Sequence, residues 1–225
     1  MPTDRHIIEV RNISKTYKLG DVQVPALREV SLDINDGDFI IITGRNGSGK
    51  STLLRQLGLL DKPNEGTITL NGHEVTRMAE KKRSLIRLKH LGYIFQEYAL
   101  IAELSAVENV MLPAMMLETT KACKPRAQEL LEKVGLHNKL KYLPRQLSGG
   151  EQQKVAIARA LINKPDVIFA DEPTANLDSI AARDVLSVFK KLNESEHRTI
   201  VMITHEQDEI SYANRIIKLA DGKRV

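Results

Sequence analysis

The sequence predicts an α/β fold that combines a parallel sheet with a small antiparallel β layer and an inserted α-helical lobe. Three apolar runs, Phe39 to Thr43, Val167 to Ala170 and Thr199 to Ile203, have the composition of buried strands. Each run precedes a polar or glycine-rich turn and then a helical segment. Strands that are apolar on both faces and separated by helices are typical of a parallel sheet. The three runs therefore predict the core of the fold.

The antiparallel layer is predicted from the N-terminal part of the chain. Ile7 to Val10 and Ala26 to Ile34 show period-two patches on either side of Gly20. Thr67 to Leu70 is followed by Asn71-Gly72, which is a hairpin signal. We expect these segments to form short antiparallel strands.

The helical lobe is predicted from the middle of the chain. Ala127 to Val134 repeats apolar side chains at helical spacing, with Pro125 expected in the first turn and Gly135 as the stop. A further helix is expected from Glu151 to Ile162, and Lys164-Pro165 closes it. These segments carry no strand pattern, so they favour a lobe made of helices.

Length and composition limit the class of protein. The 225 residues are 42% hydrophobic and 28% charged, which is enough to bury a core beneath a polar surface. We predict one domain over residues 1–225, with a core from 1–95 and 164–225 and a helical lobe over about 96–163. The net charge is only +4 and the basic residues are scattered, so we expect no nucleic-acid partner.

The same composition predicts the compartment. No apolar run approaches the roughly 20 residues that a membrane span requires, and the polar N-terminus does not resemble a signal peptide. The single cysteine, Cys123, cannot form an internal disulfide, and we expect it to be a surface or packing residue. A cytoplasmic location is therefore expected.

A phosphate-binding loop is predicted at residues 44–51. Their sequence, Gly-Arg-Asn-Gly-Ser-Gly-Lys-Ser, matches G-x-x-x-x-G-K-[ST] between a predicted strand and a predicted helix. Glycines let backbone N–H groups turn toward a phosphate, and the helix N-terminus adds partial positive charge. The Lys50 ammonium is expected at the β- and γ-phosphates, and the Ser51 hydroxyl on Mg²⁺. An incidental glycine-rich turn would not explain this context.

Polar side chains end the two later strands. Asp171 and Glu172 follow the second apolar run, and His205 follows the third. Because the carboxyl ends of parallel strands line the ligand crevice, we expect Asp171 beside the phosphate loop, where it suits Mg²⁺ binding. Glu172 is expected to polarise an attacking water. His205 is a candidate donor to a γ-phosphate, although a lone histidine is more often structural.

The segment 147–160, Leu-Ser-Gly-Gly-Glu-Gln-Gln-Lys-Val-Ala-Ile-Ala-Arg-Ala, resembles the signature motif of ATP-binding-cassette (ABC) ATPases. A serine and two glycines at a helix start also present N–H groups to an anion, whereas an ordinary capped helix would explain only Ser148. The order of the phosphate loop, Gln96, the signature, the acidic pair and His205 is similar to the order in this family. The resemblance extends over essentially the whole chain. The resemblance implies a P-loop NTPase (RecA-like) core and an ATP hydrolase that uses Mg²⁺.

The resemblance also implies roles for individual residues. Tyr17 lies where an aromatic side chain stacks on adenine, its alternative being a core residue of the β layer. Gln96 resembles the glutamine that touches Mg²⁺ or the lytic water, and Asp178 the residue that communicates across a dimer. Glu172 resembles the catalytic base and His205 the γ-phosphate switch. The remaining nucleotide-binding residues are expected to be Gly44, Asn46, Gly47, Ser48, Gly49, Lys50, Ser51 and Thr52, with Ser148, Gly149 and Gly150 from the opposite subunit. The expected magnesium ligands are Ser51, Gln96 and Asp171.

Two partners follow from the resemblance. In this family the signature faces the phosphate loop of another subunit, so a chain with one of each is expected to form a head-to-tail dimer around two ATP molecules. Hydrolysis is expected to loosen that dimer. The chain contains no permease, so a separate membrane subunit is expected to hold it at the inner face of the cell membrane. An apolar stripe is expected either to receive a permease helix or to belong to the lobe core: Met111, Leu112, Met115, Met116 and Leu117.

Three segments resemble the subfamily of lipoprotein-release, macrolide-export and cell-division ATPases, which act as mechanotransmitters on permeases of few spans. They are Tyr17 to Leu27, Leu57 to Asp61 and Asn109 to Pro113. Two positions depart from that subfamily, which usually has serine in place of Asn46 and glycine in place of Ala175.

Other classes of cassette protein fit the sequence less well than a transporter subunit. A cassette acting on DNA normally carries a long coiled coil, and the segment from Lys50 to Leu147 is too short for one. Ribosome-binding cassettes usually have two cassettes in one chain, and non-catalytic scaffolds typically lack the base or the histidine. A cytosolic assembly ATPase with iron–sulfur partners is the main remaining alternative.

Overall fold

The computed structural model describes residues 6–225 of the chain. In chain order the elements are β1 (His6–Leu19), β2 (Val22–Asn35), β3 (Phe39–Gly44), α1 (Lys50–Leu57), β4 (Glu65–Leu70), β5 (His73–Glu74), α2 (Glu80–His90), β6 (Leu91–Ile94), α3 (Ala106–Met115), α4 (Thr120–Lys133), α5 (Gly149–Leu161), β7 (Val167–Asp171), α6 (Ser179–Glu196), β8 (Thr199–Ile203), β9 (Arg215–Ala220) and β10 (Lys223–Arg224). Short 3₁₀ helices cover Pro144–Gln146 and Gln207–Tyr212. Within residues 6–225, no helix is long and apolar enough to cross a membrane.

The chain divides into two compact units. The first unit combines the chain up to Arg87 with residues His197–Val225. The second unit is the segment between them, Leu88–Glu196. The division into a core and a lobe over about 96–163 stays a prediction.

The antiparallel layer of the first unit has the strand order β2-β1-β4-β5. Its two long strands, β1 and β2, span 14 residues each, so the expectation of short strands was wrong here. The pairing of β1 with β2 continues through several register shifts. One lies between Val10 and Ile13, where Asn12 has a φ of 51°. The extra residue keeps both Val10 and Ile13 fully buried on the inner face. Between β4 and β5, Asn71 and Gly72 have φ values of 50° and 77°, which confirms the hairpin signal.

The parallel strands of the first unit carry the phosphate loop. Strand β3 pairs in parallel with both β8 and β9, and β10 joins β9 antiparallel. The side chains from Phe39 to Ile42 are at most 1% exposed, because both faces of β3 are covered. The carboxyl ends of β3 and β8 therefore lie side by side at one edge of the sheet.

The second unit is built around α5. Its residues Val155 to Ala158 are all 0% exposed, as expected for a helix covered on all sides. The helix packs against α3, α4, α6 and β6. Strand β6 pairs in parallel with β7, and at Gly92 of β6 a Cβ would lie 2.6 Å from the carbonyl oxygen of Ala160. Glycine at this position lets the helix approach the strand closely.

Helix α4 begins seven residues before the apolar repeat at Ala127 and five before Pro125, which was expected in its first turn. It starts at Thr120, so Pro125 lies inside the helix and not in its first turn. Cys123, Ala127 and Leu131 are each 0% exposed, and their four-residue spacing forms one buried stripe. The packing of this stripe outweighs the local cost of an internal proline. Cys123 is thus a packing residue, as one of the two expectations for it stated.

Candidate functional site

The phosphate loop connects β3 to α1 and is held in a narrow space. Gly44 and Gly49 have positive φ values of 152° and 102°. A Cβ on Gly44 would clash with the carbonyl oxygen of Leu219, and one on Gly49 with that of Ala26. Only glycine fits these two positions, because a side chain would be strained and would meet backbone atoms. The loop is therefore wedged against its neighbouring strands in a defined conformation.

Lys50 is the first residue of α1 and turns back over the loop. Its Nζ donates to the carbonyl oxygens of Gly44 at 3.0 Å and Arg45 at 3.2 Å, and the residue is 6% exposed. The hydroxyl of Ser48 is buried without a hydrogen-bond partner among the described residues. A buried ammonium, a buried hydroxyl and the N-terminus of an eight-residue helix fit the phosphates of a nucleotide. Ser51, next along α1, is exposed.

Tyr17, the candidate adenine-stacking residue, lies on β1 of the same unit and is half-buried. Its Oη donates to Asp61 Oδ2 at 3.0 Å, and Lys15 Nζ donates to Asp61 Oδ1 at 2.8 Å. Lys15 Nζ also lies 5.1 Å from the centre of the Tyr17 ring, within the range of a cation–π contact. Asp61 therefore fixes the orientation of the ring. The sequence pattern did not identify Asp61 as part of a site.

The Asp61 carboxylate is held in its charged form. Burial by itself raises the pKa of Asp61. Hydrogen bonds from Lys15, the Lys62 amide and Tyr17 outweigh that effect, so its pKa lies below the ordinary value. A depressed folded-state pKa adds stability that is present above the unfolded pKa of about 4 and is lost as pH falls through the folded pKa.

The Asp61→Asn substitution is expected to destabilise the protein by about 1 kcal/mol at pH 7, because a charge-assisted hydrogen bond is weakened. The difference from the wild type should shrink as pH falls below about 4, because the carboxylate is then protonated first in the unfolded chain and, at lower pH, in the folded one. Urea denaturation at pH 7 and pH 3 measures both effects. Asp21→Asn on an exposed turn provides the control. A destabilisation that stays constant between the two pH values would contradict the ionic role of Asp61.

His205 lies directly beyond the carboxyl end of β8, beside the end of β3. Its side chain is 49% exposed, and Nε2 lies 3.2 Å from Glu206 Oε1. Thr204 is buried, and its Oγ1 accepts the Glu206 N–H at 3.0 Å. This bond shapes the turn that carries His205. The phosphate loop and the histidine thus emerge at neighbouring strand ends, as the parallel pattern predicted.

The signature segment forms the start of α5 in the second unit. Ser148 caps the helix, because its Oγ accepts the Glu151 N–H at 3.3 Å while Glu151 Oε2 accepts the Ser148 N–H at 2.9 Å. A Cβ on Gly149 would lie 2.8 Å from Tyr98 Oη, and one on Gly150 would lie 3.0 Å from the Cβ of Ala181. The glycines therefore permit close packing at the helix start, in addition to presenting backbone N–H groups.

The acidic pair ends β7 in the second unit. Asp171 is the last residue of the strand, and both carboxylates are partly exposed. Glu172 has a φ of 45°, a left-handed conformation that is unusual for a residue with a side chain. Such backbone strain is typical of functional positions. The Glu172 carbonyl accepts the Ala175 N–H at 3.2 Å, so the side chain is carried on a tight turn.

Gln96 and Asp178 lie in the same unit as the acidic pair. Gln96 follows β6 and is exposed, and its carbonyl oxygen accepts a hydrogen bond from Asn176 Nδ2 at 3.1 Å. Asp178 Oδ1 accepts the N–H groups of Ala181 at 3.0 Å and Ile180 at 2.9 Å. These bonds, with the one from Ala181 first, lower the pKa of Asp178. Asp178 thus caps α6, a structural role that its sequence position did not predict.

The predicted site residues divide between the two units. Tyr17, the phosphate loop and His205 belong to the first, whereas Gln96, the signature, Asp171, Glu172 and Asp178 belong to the second. The predicted magnesium site combines Ser51 with Gln96 and Asp171, and it stays a prediction.

Comparison with known proteins shows what the chain is similar to. A family model described as "ABC transporter" matches residues 27–175. An uncharacterised ABC transporter ATP-binding protein of Methanocaldococcus jannaschii, MJ1508, is 49% identical over 97% of this chain and 98% of its own length. The macrolide export ATP-binding/permease protein MacB of Syntrophobacter fumaroxidans is 45% identical over 96% of this chain, which corresponds to 31% of that protein.

Solved structures agree with these matches. A dimeric post-hydrolysis structure of the ATP-binding cassette MJ0796, bound to ADP and phosphate, has a TM-score of 0.88 and 40% identity, covering 96% of both chains. Another dimeric structure of MJ0796, described as a bacterial ABC transporter cassette, has the same TM-score and identity.

Proposed function

The chain belongs to the ABC transporter family of ATP-binding cassettes, and we propose that it powers a separate membrane permease. The predictions of this family, of its cassette fold and of an ATP hydrolase are confirmed by the matches. They support the transporter subunit and not the iron–sulfur assembly alternative. The observation that carries the proposal is the phosphate loop, in which Lys50 lies buried over two loop carbonyls.

Nucleotide binding uses residues of the first unit. The Lys50 ammonium exchanges its loop carbonyls for phosphate oxygens, and the N–H groups at the start of α1 face the same charge. Tyr17, oriented by Asp61, provides the face for the adenine ring. Ser51, Gln96 and Asp171 would hold Mg²⁺, which when bound would supply positive charge to neutralise the phosphates.

Hydrolysis uses residues of the second unit and a second copy of the chain. Glu172 orients the attacking water and accepts its proton. Each chain has one phosphate loop and one signature segment, and the cassette MJ0796 is dimeric. We therefore propose a head-to-tail dimer in which Ser148, Gly149 and Gly150 face the nucleotide of the partner chain.

The permease partner is of the macrolide-export type. In the MacB relatives the matched segment covers about a third of an ATP-binding/permease protein, so the same type of cassette is joined there to a permease. Three large apolar residues at and just after the end of α3 are exposed here: Met115 by 46%, Met116 by 74% and Leu117 by 42%. Met111 of the predicted stripe is instead buried in the unit. The exposed part of the stripe is proposed to receive the permease, which places the chain at the cytoplasmic face of the membrane.

Co-purification in mild detergent tests this proposal. The tagged chain is expected to retain a multi-span membrane protein, which mass spectrometry identifies. A triple substitution of Met115, Met116 and Leu117 by serine should release that protein while ATPase activity of the isolated chain stays within about twofold, because the stripe lies outside the nucleotide site. Ile216→Ser removes a similarly exposed apolar side chain and is the control. Recovery of soluble partners alone would overturn the permease assignment.

A further inference from the structure

An unusual turn directly follows Gln96. Tyr98 and Ala99 have φ values of 58° and 50°, so two consecutive residues with side chains adopt the left-handed conformation. Residues other than glycine avoid this region unless the surroundings hold them there. A specific contact is therefore needed to maintain the turn.

Arg159 of α5 makes that contact. Its Nη2 donates to the carbonyl oxygen of Tyr98 at 2.7 Å, and its Nη1 donates to that of Ala99. Burial lowers the pKa of the Arg159 guanidinium, and the two carbonyl oxygens accept hydrogen bonds from two of its donors. Arg159 lies 60 residues from Ala99 in sequence, so this clamp depends on the packing of α5.

The same turn touches two further segments of the site. Tyr98 Oη donates to the carbonyl oxygen of Asn176 at 3.4 Å. A Cβ on Gly149 would lie 2.8 Å from the same Oη, so the tyrosine also packs against the start of α5. Asn176 in turn donates to the Gln96 carbonyl oxygen. The segment from Gln96 to Ala99 is thus held at one end by Asn176 and at the other by Arg159.

We infer that Arg159 is a positioning residue for Gln96. By holding the left-handed turn, it sets the distance of Gln96 from the start of α5 and from the segment before α6. The inference rests on the proposed role of Gln96 in hydrolysis. It assigns to Arg159 a positioning role without contact to the nucleotide, because its guanidinium donates to the Tyr98 and Ala99 carbonyls.

Kinetics of Arg159→Met test the inference. Loss of the clamp is expected to lower kcat for ATP hydrolysis by about 10- to 100-fold, the range that a small misplacement of a reacting group produces. The KM for ATP should stay within about twofold. Arg159→Lys keeps the charge and can still donate to one of the two carbonyls. Its kcat should therefore lie between that of Arg159→Met and that of the wild type. Lys191→Met on the exposed face of α6 removes a charge elsewhere in the unit and is the control.

A double-mutant comparison separates positioning from general stabilisation. If Arg159 acts through Gln96, Arg159→Met should change kcat by less than about twofold when Gln96 is already alanine. Ala99→Gly, which tolerates the left-handed turn without a clamp, should recover part of kcat in the Arg159→Met chain. Without nucleotide, amide hydrogen exchange over residues 96–99 should rise in Arg159→Met and not in Lys191→Met.

Several outcomes would overturn the inference. The first is an unchanged kcat in Arg159→Met. The second is a loss of kcat from Arg159→Met that is as large in the Gln96→Ala chain as in the wild type. The third is a kcat that falls only in proportion to the folded fraction measured by thermal unfolding. If Arg159→Met does not fold, Arg159→Lys with and without Ala99→Gly replaces it, and an unchanged kcat in both counts against the clamp. A wild-type chain without ATPase activity would instead refute the proposed function itself.

Discussion

The substitution Lys50→Ala is expected to lower ATP affinity by about 30- to 1,000-fold, which corresponds to about 2–4 kcal/mol. Wild-type Lys50 is 6% exposed and its ammonium already lies over the loop, so it meets phosphate oxygens without a large rearrangement. Its loss removes charge-assisted hydrogen bonds to the nucleotide. It also leaves the Gly44 and Arg45 carbonyls without this donor.

Isothermal titration calorimetry with a non-hydrolysable ATP analogue measures the effect of Lys50→Ala. Arg55→Ala removes an exposed cation from the same helix and should keep the affinity within about twofold, because an exposed charge at this distance is screened by salt. An unchanged affinity in Lys50→Ala would contradict the assignment of the phosphate loop.

The substitution Glu172→Gln is expected to lower kcat by about 100- to 10,000-fold while ATP still binds. The amide keeps the shape of the side chain on its left-handed turn but cannot accept a proton from water. The proposed binding residues Lys50 and Tyr17 belong to the other unit, so ATP binding should be retained. With hydrolysis blocked, the ATP-bound dimer should accumulate.

Steady-state phosphate release and size-exclusion chromatography with ATP and Mg²⁺ measure the two effects of Glu172→Gln. Glu194→Gln on the exposed part of α6 is the control and should behave as the wild type in both assays. Hydrolysis at the wild-type rate in Glu172→Gln would show that another group is the base. Loss of ATP binding would show a structural role for the carboxylate.

Much of the fold and of the candidate site is predictable from local sequence. The three apolar runs became β3, β7 and β8, because a strand covered on both faces must be apolar at every position. The phosphate loop and the start of α5 were recognised for a similar reason. Their glycines and their capping serine specify the backbone conformation over a few adjacent residues.

The boundaries that depend on packing were less predictable. Pro125 indicated a later start for α4, but the buried stripe of Cys123, Ala127 and Leu131 extends that helix toward its N-terminus. The bulge near Asn12 adds one residue to β1 between Val10 and Ile13, since register is chosen by the cross-strand partners.

What the sequence alone determined are the short motifs: the predicted phosphate loop, the helix start that resembles the signature, and the strands that precede Glu172 and His205. What only the tertiary structure decided are the contacts that orient them. Asp61 reaches Tyr17 across 44 residues, and Arg159 reaches the Tyr98 carbonyl across 61. A motif of adjacent residues encodes its own backbone geometry, whereas these side chains meet only because burial of the apolar core brings distant segments together.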